Sequence, residues 1–517
     1  MRRVVGDIVL YAAGAAFALH MLTSSFLKFE TWAWFAGPAY LLGGVGAGVL
    51  ALAASRLRAR RLTVARFVVA LAVLFGALFL PLTAEVMWRA ERGARYAPAE
   101  VVVTERAASE VLRGRDPYSA HLGSSELAGR EPSIARHFPY LPAMAAFGVP
   151  RALLGKAWWT DARIFFALVT ALAAAAALWT WPAPAEQRLR ALQILLVLPT
   201  GALVVVTGGD DMPVLALSLL ALVLLGRGLH VASALTVGAA AALKLTAWPL
   251  LVCLAFATRG AHPRRRAGAI ALAPAAALVA ILPAFVASPP DFADDVFLFP
   301  LGLTGLASPA RSTTAGSLVM GSVAPSASLG ATRLAVTAAL VAVALAALVI
   351  AVVRVARARC PGPSAVGAAA GGTLLTLVVL APVARAGYLV YPIDLLAWAF
   401  LLRGLRPPMQ KAVSHGREQC ATGTTRELGS GDQELLRHAP RRALREHPGP
   451  VGARLHRGGG QGLSSLEDGD HDDGRDRQHR GRRRVAEGRD SHPASRIPRR
   501  AHGGGDLVVG RSPTGAR

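Results

Sequence analysis

The sequence predicts an all-α polytopic membrane protein: a bundle of about 12 transmembrane helices with one long outer-face loop, followed by a disordered C-terminal tail. Three observations predict it. Of the 517 residues, 53% are hydrophobic, and the mean hydropathy is +0.42. Apolar stretches near the roughly 20 residues that cross a bilayer recur along most of the chain as far as Leu402. Short arginine clusters sit beside those stretches, as they do on the cytoplasmic side of membrane proteins.

In order, the candidate spans are 7–25, 32–54, 63–83, 161–181, 190–207, 212–226, 229–244, 245–258, 267–287, 334–354, 364–382 and 386–402. The first follows Met1-Arg2-Arg3 and ends at no small-residue cleavage site. With many spans after it, it reads as an uncleaved helix. Several spans are rich in Ala, Gly and Leu, which lets helices approach closely in lipid. The pair within 229–258 is short and interrupted by Lys244 and Pro249, and broken helices of that kind line cavities. Cys253, Cys360 and Cys420 show no metal-ligand spacing and no disulfide framework.

A net charge of +24 invites a nucleic-acid partner, but its distribution argues against one. Much of the excess lies in Arg56–Arg61, in Arg264-Arg265-Arg266, and at Arg354, Arg357 and Arg359, beside apolar runs; most of the rest follows Arg403. Placing those clusters inside puts the N-terminus inside, the turn at Lys28–Glu30 outside, and the polar stretch 84–137 on the outer face. The segment Phe138–Leu154 is short and broken by Pro139, Pro142 and Pro150. A full crossing there would push Arg264–Arg266 outside. A helix that only dips into the membrane keeps every basic loop inside, and is preferred. Gly208–Asp211, Lys244, the loop 288–330 and Arg385–Tyr388 then share the outer face with 84–137.

After Pro407 the composition turns to Arg, Gly, His and Asp with no sustained apolar period. Such a segment buries too little apolar surface to offset the entropy of ordering, so 403–517 is expected to be a disordered cytoplasmic tail. Its Arg482-Arg483-Arg484 reads as solvated rather than as a lipid or nucleic-acid site. The tail also resembles an out-of-frame reading of G+C-rich coding sequence, a hypothesis that sequencing the locus for a single-base indel near codon 410 decides.

The polar stretch carries Glu85, Glu91, Glu100 and Glu105, then Gly114-Arg115-Asp116-Pro117-Tyr118. Further on come Phe138-Pro139-Tyr140-Leu141-Pro142, Gly208-Gly209-Asp210-Asp211, Leu243-Lys244-Leu245-Thr246-Ala247-Trp248-Pro249, and Arg385-Ala386-Gly387-Tyr388-Leu389-Val390-Tyr391-Pro392. This series, in this order between spans, resembles glycosyltransferase family 87 over about Leu62–Leu402. The resemblance implies a GT-C fold and a polyprenol-phosphate-mannose-dependent mannosyltransferase. It makes 1–61 two extra N-terminal transmembrane helices and 62–402 the glycosyltransferase module. The family carries an acidic residue, usually Asp, about fourteen positions before the glycine of its Gly-x-Asp-Pro-Tyr phrase; counting back from Gly114 gives Glu100.

The chemistry implied needs few groups. A phosphate leaving group is a stable anion and needs no general acid, so one carboxylate suffices to take the proton of the attacking hydroxyl, unlike the carboxylate pair of glycoside hydrolysis. Glu100 is the expected base, with Glu105 and Glu85 as rivals. Lys244 and Arg385 are the expected cations for the donor phosphate, although Lys244 near a helix end can also snorkel. Asp210 and Asp211 suit substrate contact or the cap of the helix beginning near Met212. Tyr140, Tyr388 and Tyr391 suit sugar faces or interfacial anchoring. Asp116-Pro117-Tyr118 reads as a turn, and Asp291, Asp294 and Asp295 as solvated loop residues rather than acceptor contacts. No cofactor and no metal is implied; the polyprenyl-phosphate sugar is a substrate, and a lipid-linked or envelope glycan is the acceptor. Two competing readings remain: a transporter or lipid flippase using Lys244, Asp210 and Arg385 as pathway charges, and an inactive structural protein of the envelope.

Overall fold

The computed structural model describes residues 2–405 apart from 94–95, 120–135, 258–262, 305–309, 311, 325–329 and 359–360. The expected tail disorder, Cys360 and Cys420 lie outside the described residues. Among those described, all regular structure is helical, with no strand.

Helices α1 (Arg2–Met21) and α2 (Leu27–Ala53) pack along one another. Next, α3 (Ala59–Leu74), a π turn at Phe75–Phe79 and α4 (Leu80–Arg92) run on as one helix of 34 residues. The third span was expected to end at 83 and leave Glu85 and Glu91 in the polar stretch; the helix instead continues to Arg92. It can do so because Glu85 and Arg89 both find buried ionic partners on its inner face. The outer stretch then forms α5 (Ala99–Leu112).

The proline-broken segment becomes a 3-10 helix at Pro142–Gly148 followed by α6 (Val149–Leu154). Its rise is about 23 Å, short of the ~30 Å hydrocarbon core, which places it with the shorter apolar helices. Beyond it lie α7 (Ala162–Thr180), α8 (Ala185–Leu192), a π turn at Gln193–Val197 and α9 (Pro199–Thr207). Three shorter apolar helices follow: α10 (Asp211–Gly226), α11 (His230–Leu243) and α12 (Trp248–Ala257). The remainder comprises α13 (Pro263–Ala287), α14 (Pro289–Ala293), α15 (Ala315–Val323), α16 (Ala331–Arg357), α17 (Pro363–Leu380) and α18 (Val390–Leu401).

Eight helical stretches among the described residues are long and apolar enough to cross a membrane, and the chain is a multi-pass membrane protein. Helix α10 is the hub: it is buried nearly all round and packs on α7, α9, α11, α17 and α18. By contrast α16 leaves most of its surface bare, as a helix facing lipid does. The two N-terminal helices are not loosely appended. Asp7 of α1 accepts from Arg66 Nε of α3 at 2.5 Å and from Arg190 Nη1 of α8 at 2.6 Å, and Gln193 Nε2 donates to Tyr11 Oη at 3.1 Å. Farther along the bundle, Tyr40 of α2 donates to the Val197 carbonyl at 2.6 Å and Trp32 to that of Ala77 at 2.8 Å.

Candidate functional site

The site is assembled from breaks in helices. Helix α11 stops at Leu243, Lys244 turns extended at φ −149° and ψ 147°, and a 3-10 turn at Leu245–Ala247 leads into α12. A lysine at such a break can carry its charge inside the bundle only if partners meet it there. They come from the α9–α10 junction. Gly209 has φ +81°, a conformation open to glycine, and a Cβ there would lie 3.1 Å from both Phe166 and the Val205 carbonyl. The turn brings Asp210 Oδ2 to 2.6 Å from Lys244 Nζ, and Asp211 pairs with the same ammonium. Asp210 stands at the cap position of α10 yet makes no capping hydrogen bond with its side chain; it goes to the lysine instead.

Aromatic side chains close around these charges. Lys244 Nζ lies 5.0 Å from the centroid of the Tyr140 ring, a cation–π contact. Tyr391 Oη donates to Asp211 Oδ1 at 2.6 Å. The strand-like segment before Pro142 is pinned by Tyr118 Oη donating to the Tyr140 carbonyl at 2.8 Å and by Leu141 N–H donating to that of Leu243 at 3.2 Å. The Asp116 carboxylate accepts from Tyr118 N–H at 3.1 Å, so Asp116-Pro117-Tyr118 makes the expected turn.

Glu100 projects from the first turn of α5 and forms an ion pair with Arg385, the residue before the 3-10 turn that leads into α18. Both lie within electrostatic reach of Tyr140, and Glu100 within reach of Asp210. Burial pushes the Glu100 carboxyl up, but the Arg385 guanidinium and then Lys28 pull it down further, to about 2. Burial lifts the Asp210 carboxyl to about 6, with Lys244 pulling against it and Asp211 adding to it. For Lys244, burial disfavours the charge, yet Asp210 and Asp211 together hold the ammonium well above its ordinary value. Tyr388 lies within electrostatic reach of both Arg385 and Lys244. Of the residues expected at the site, Glu100, Lys244, Arg385, Asp210, Asp211, Tyr140 and Tyr388 thus converge.

Glu105 goes elsewhere. Five residues of helix separate it from Glu100, a rotation of about 140°, so the two carboxylates leave α5 on different sides. Glu105 accepts from Arg89 Nη1 at 2.8 Å and Nη2 at 2.7 Å, and Arg151 Nε lies 3.1 Å away. Asp161 joins through Arg89 at 2.8 Å, Arg163 binds Asp161 at 2.9 Å, and Glu85 takes Arg163 Nη1 at 2.8 Å. Among the described residues, Glu85, Glu105 and Asp161 are thus matched by Arg89, Arg151 and Arg163. Close packing seals the network: a Cβ on Gly148 would lie 2.5 Å from Glu105 Cα and 2.6 Å from the Thr104 carbonyl.

The sequence reading missed this network, although Arg163 in the first turn of an apolar span was a signal, since such a charge demands a partner. It also missed a trio in which His137, Asp294 and Asp295 bring ligand-type atoms within 4.8 Å of one another. Asp294 and Asp295 were expected to be solvated; Asp295 is buried at 3% exposure. Asp291 accepts from Ser288 Oγ at 2.6 Å.

A bundle of apolar helices enclosing a cluster of carboxylates, a lysine and an arginine near the ends of broken helices is a membrane protein built to handle a charged or polar ligand. The family comparison narrows this. The model of glycosyltransferase family 87 matches residues 138–406, over half the chain, and the chain belongs to that family. It is therefore a glycosyltransferase. The matched region contains Tyr140, Asp210, Asp211, Lys244, Arg385 and Tyr388, whereas Glu100 and Glu105 precede it. Neither the curated proteins nor the solved structures gave a match.

Proposed function

We propose that the chain transfers a hexose, mannose by family resemblance, from a polyprenyl-phosphate donor to a lipid-linked or cell-envelope glycan. The transfer takes place on the extracytoplasmic face of the cell membrane, in a bundle of GT-C type. The observation that carries this reading is the meeting of Glu100 with Arg385 beside the Lys244 cluster, from parts of the chain 285 residues apart. Counting α10 to α13 as crossings adds four to the eight long stretches and keeps these residues on one side, with 142–154 dipping.

The two cations differ in what they can still bind. Lys244 is held between two carboxylates and 8% exposed. The Arg385 side chain is 35% exposed and contacts Glu100 through Nη1 alone. Arg385 is the accessible cation, and its remaining N–H groups suit a phosphate bidentately. A phosphate that draws Arg385 toward itself loosens the pair and makes Glu100 a stronger base. Glu100 then takes the proton of the acceptor hydroxyl as its oxygen attacks the anomeric carbon, and the polyprenyl phosphate departs as an anion. Asp210 and Asp211 hold Lys244 in place behind the phosphate, and Tyr140 and Tyr388 flank the sugar.

The test is transfer from radiolabelled polyprenyl-phosphate hexoses to envelope lipids by the protein in nanodiscs, with Glu100→Gln and Glu105→Gln beside it. Transfer abolished by Glu100→Gln is expected. Loss in Glu105→Gln alone overturns the choice of base, and lipid translocation without transfer from any donor overturns the reading.

A further inference from the structure

One buried polar pair has no part in the scheme above. His137 is 7% exposed, and its Nδ1 lies 2.5 Å from Asp295 Oδ1. Asp295 Oδ2 accepts from Phe138 N–H at 2.7 Å, so both of its oxygens are engaged. The Phe299 ring stacks on the imidazole with centroids 4.2 Å apart, which fixes the ring plane. An ionised carboxylate only accepts hydrogen bonds, so Nδ1, with Asp294 Oδ2 also 3.7 Å away, is the donor to Asp295, and in the neutral ring Nε2 then presents a lone pair. Nε2 is buried and has no hydrogen-bond partner among the described residues. A buried acceptor oriented in this way is costly until a donor meets it.

The pair lies on the chain segment that leads into Tyr140. His137 is three residues from Tyr140, so their Cα atoms lie within about 11 Å. Tyr118, which holds the Tyr140 carbonyl, packs its ring 4.9 Å from Phe292 and 5.5 Å from Phe138. We propose that His137 Nε2 accepts a hydrogen bond from a hydroxyl of the sugar-like acceptor, with Asp295 positioning the imidazole. The inference rests on the glycosyl-transfer reading and gives the acceptor a polyhydroxylated moiety on this side of the site.

A divalent cation on the same trio fits less well. A metal on Nδ1 would move the proton to Nε2 and leave a buried donor without a partner, whereas metal-bound histidines give their second N–H to a neighbour. The 2.5 Å contact between Nδ1 and Asp295 is also too close to admit an ion.

Two substitutions separate the roles of the ring. His137→Asn keeps a donor for Asp295 and loses the acceptor at the Nε2 position; His137→Gln reaches that position with Oε1. The probe is an octyl hexopyranoside titrated into protein in nanodiscs, followed by ¹⁵N-imidazole resonances and by acceptor and donor KM in transfer. Hexoside should move the wild-type Nε2 resonance. His137→Asn should weaken hexoside binding and raise the acceptor KM about 5–10-fold, the size of one hydrogen bond, while donor KM and thermal midpoint stay put and His137→Gln recovers part. An unmoved Nε2 resonance at saturation overturns the proposal. So does wild-type behaviour of His137→Asn, or a stoichiometric divalent ion lost on that substitution. Failure of the wild type to transfer at all counts against the transferase scheme, and the resonance and binding arms still decide His137.

Discussion

Glu100 and Glu105 stand on one helix and meet opposite fates. Glu105 sits in a sealed network where three carboxylates face three guanidinium groups. Glu100 sits in a cluster where three carboxylates face Lys244 and Arg385, and where Arg385 remains partly open to its surroundings. A buried ion network whose charges are matched among the described residues serves to fix how helices meet. A cluster with an accessible cation can exchange partners. On the proposed scheme, residue type and depth do not distinguish a structural carboxylate from a chemical one. The state of its partners does.

The largest break would come from Arg163, which holds Glu85 and Asp161 together at zero exposure. Arg163→Ala leaves Glu85 buried without its ion-pair partner and Asp161 with Arg89 alone, a cost of about 3–5 kcal/mol. Folded protein recovered by size exclusion in detergent should fall sharply; full recovery with an unchanged thermal midpoint would mean the network is not what joins α4 to α7.

The paired carboxylate variants sharpen the contrast. Glu100→Gln should cut transfer by about 10²–10⁴-fold, the range of a lost general base, with little change in thermal midpoint. Glu105→Gln should do the reverse, lowering the midpoint while each folded molecule keeps its kcat. An exchange of these outcomes would break the comparison outright.

A subtler effect concerns pH. Arg385 holds the Glu100 carboxyl down at about 2, below its ordinary 4.5, so the group proposed as base stays ionised as pH falls through the usual carboxylate range. In Arg385→Gln, burial, the largest influence on Glu100, loses its main opponent and the carboxyl rises. The acid limb of kcat/KM should therefore move upward by about 1–3 pH units relative to wild type. A limb that does not move would detach Glu100 from Arg385. The smallest effect is expected at Arg115, whose pair with Glu110 is exposed on the arginine side. Arg115→Ala should leave thermal midpoint and transfer within error, since exposed pairs contribute little.

Much of the fold was legible because apolar length and basic flanks are local properties. The helix break at Lys244 and the proline-broken, short helix within 138–154 were both readable from Lys and Pro at those positions. Glu100 was legible only through family resemblance, since its carboxylate is one of several in the same stretch. His137 was silent, because nothing near it in sequence announces Asp295, 158 residues away.

What the sequence by itself determined is therefore the helical membrane architecture, the places where helices stop, and the set of groups able to do chemistry. Each follows from hydrophobic length, from backbone freedom at glycine and proline, or from side-chain chemistry. Only the tertiary structure decided which charges neutralise one another. Ion pairing depends on distances of a few ångströms between segments hundreds of residues apart, and it left Glu105 sealed with Arg89 while setting Glu100 against Arg385.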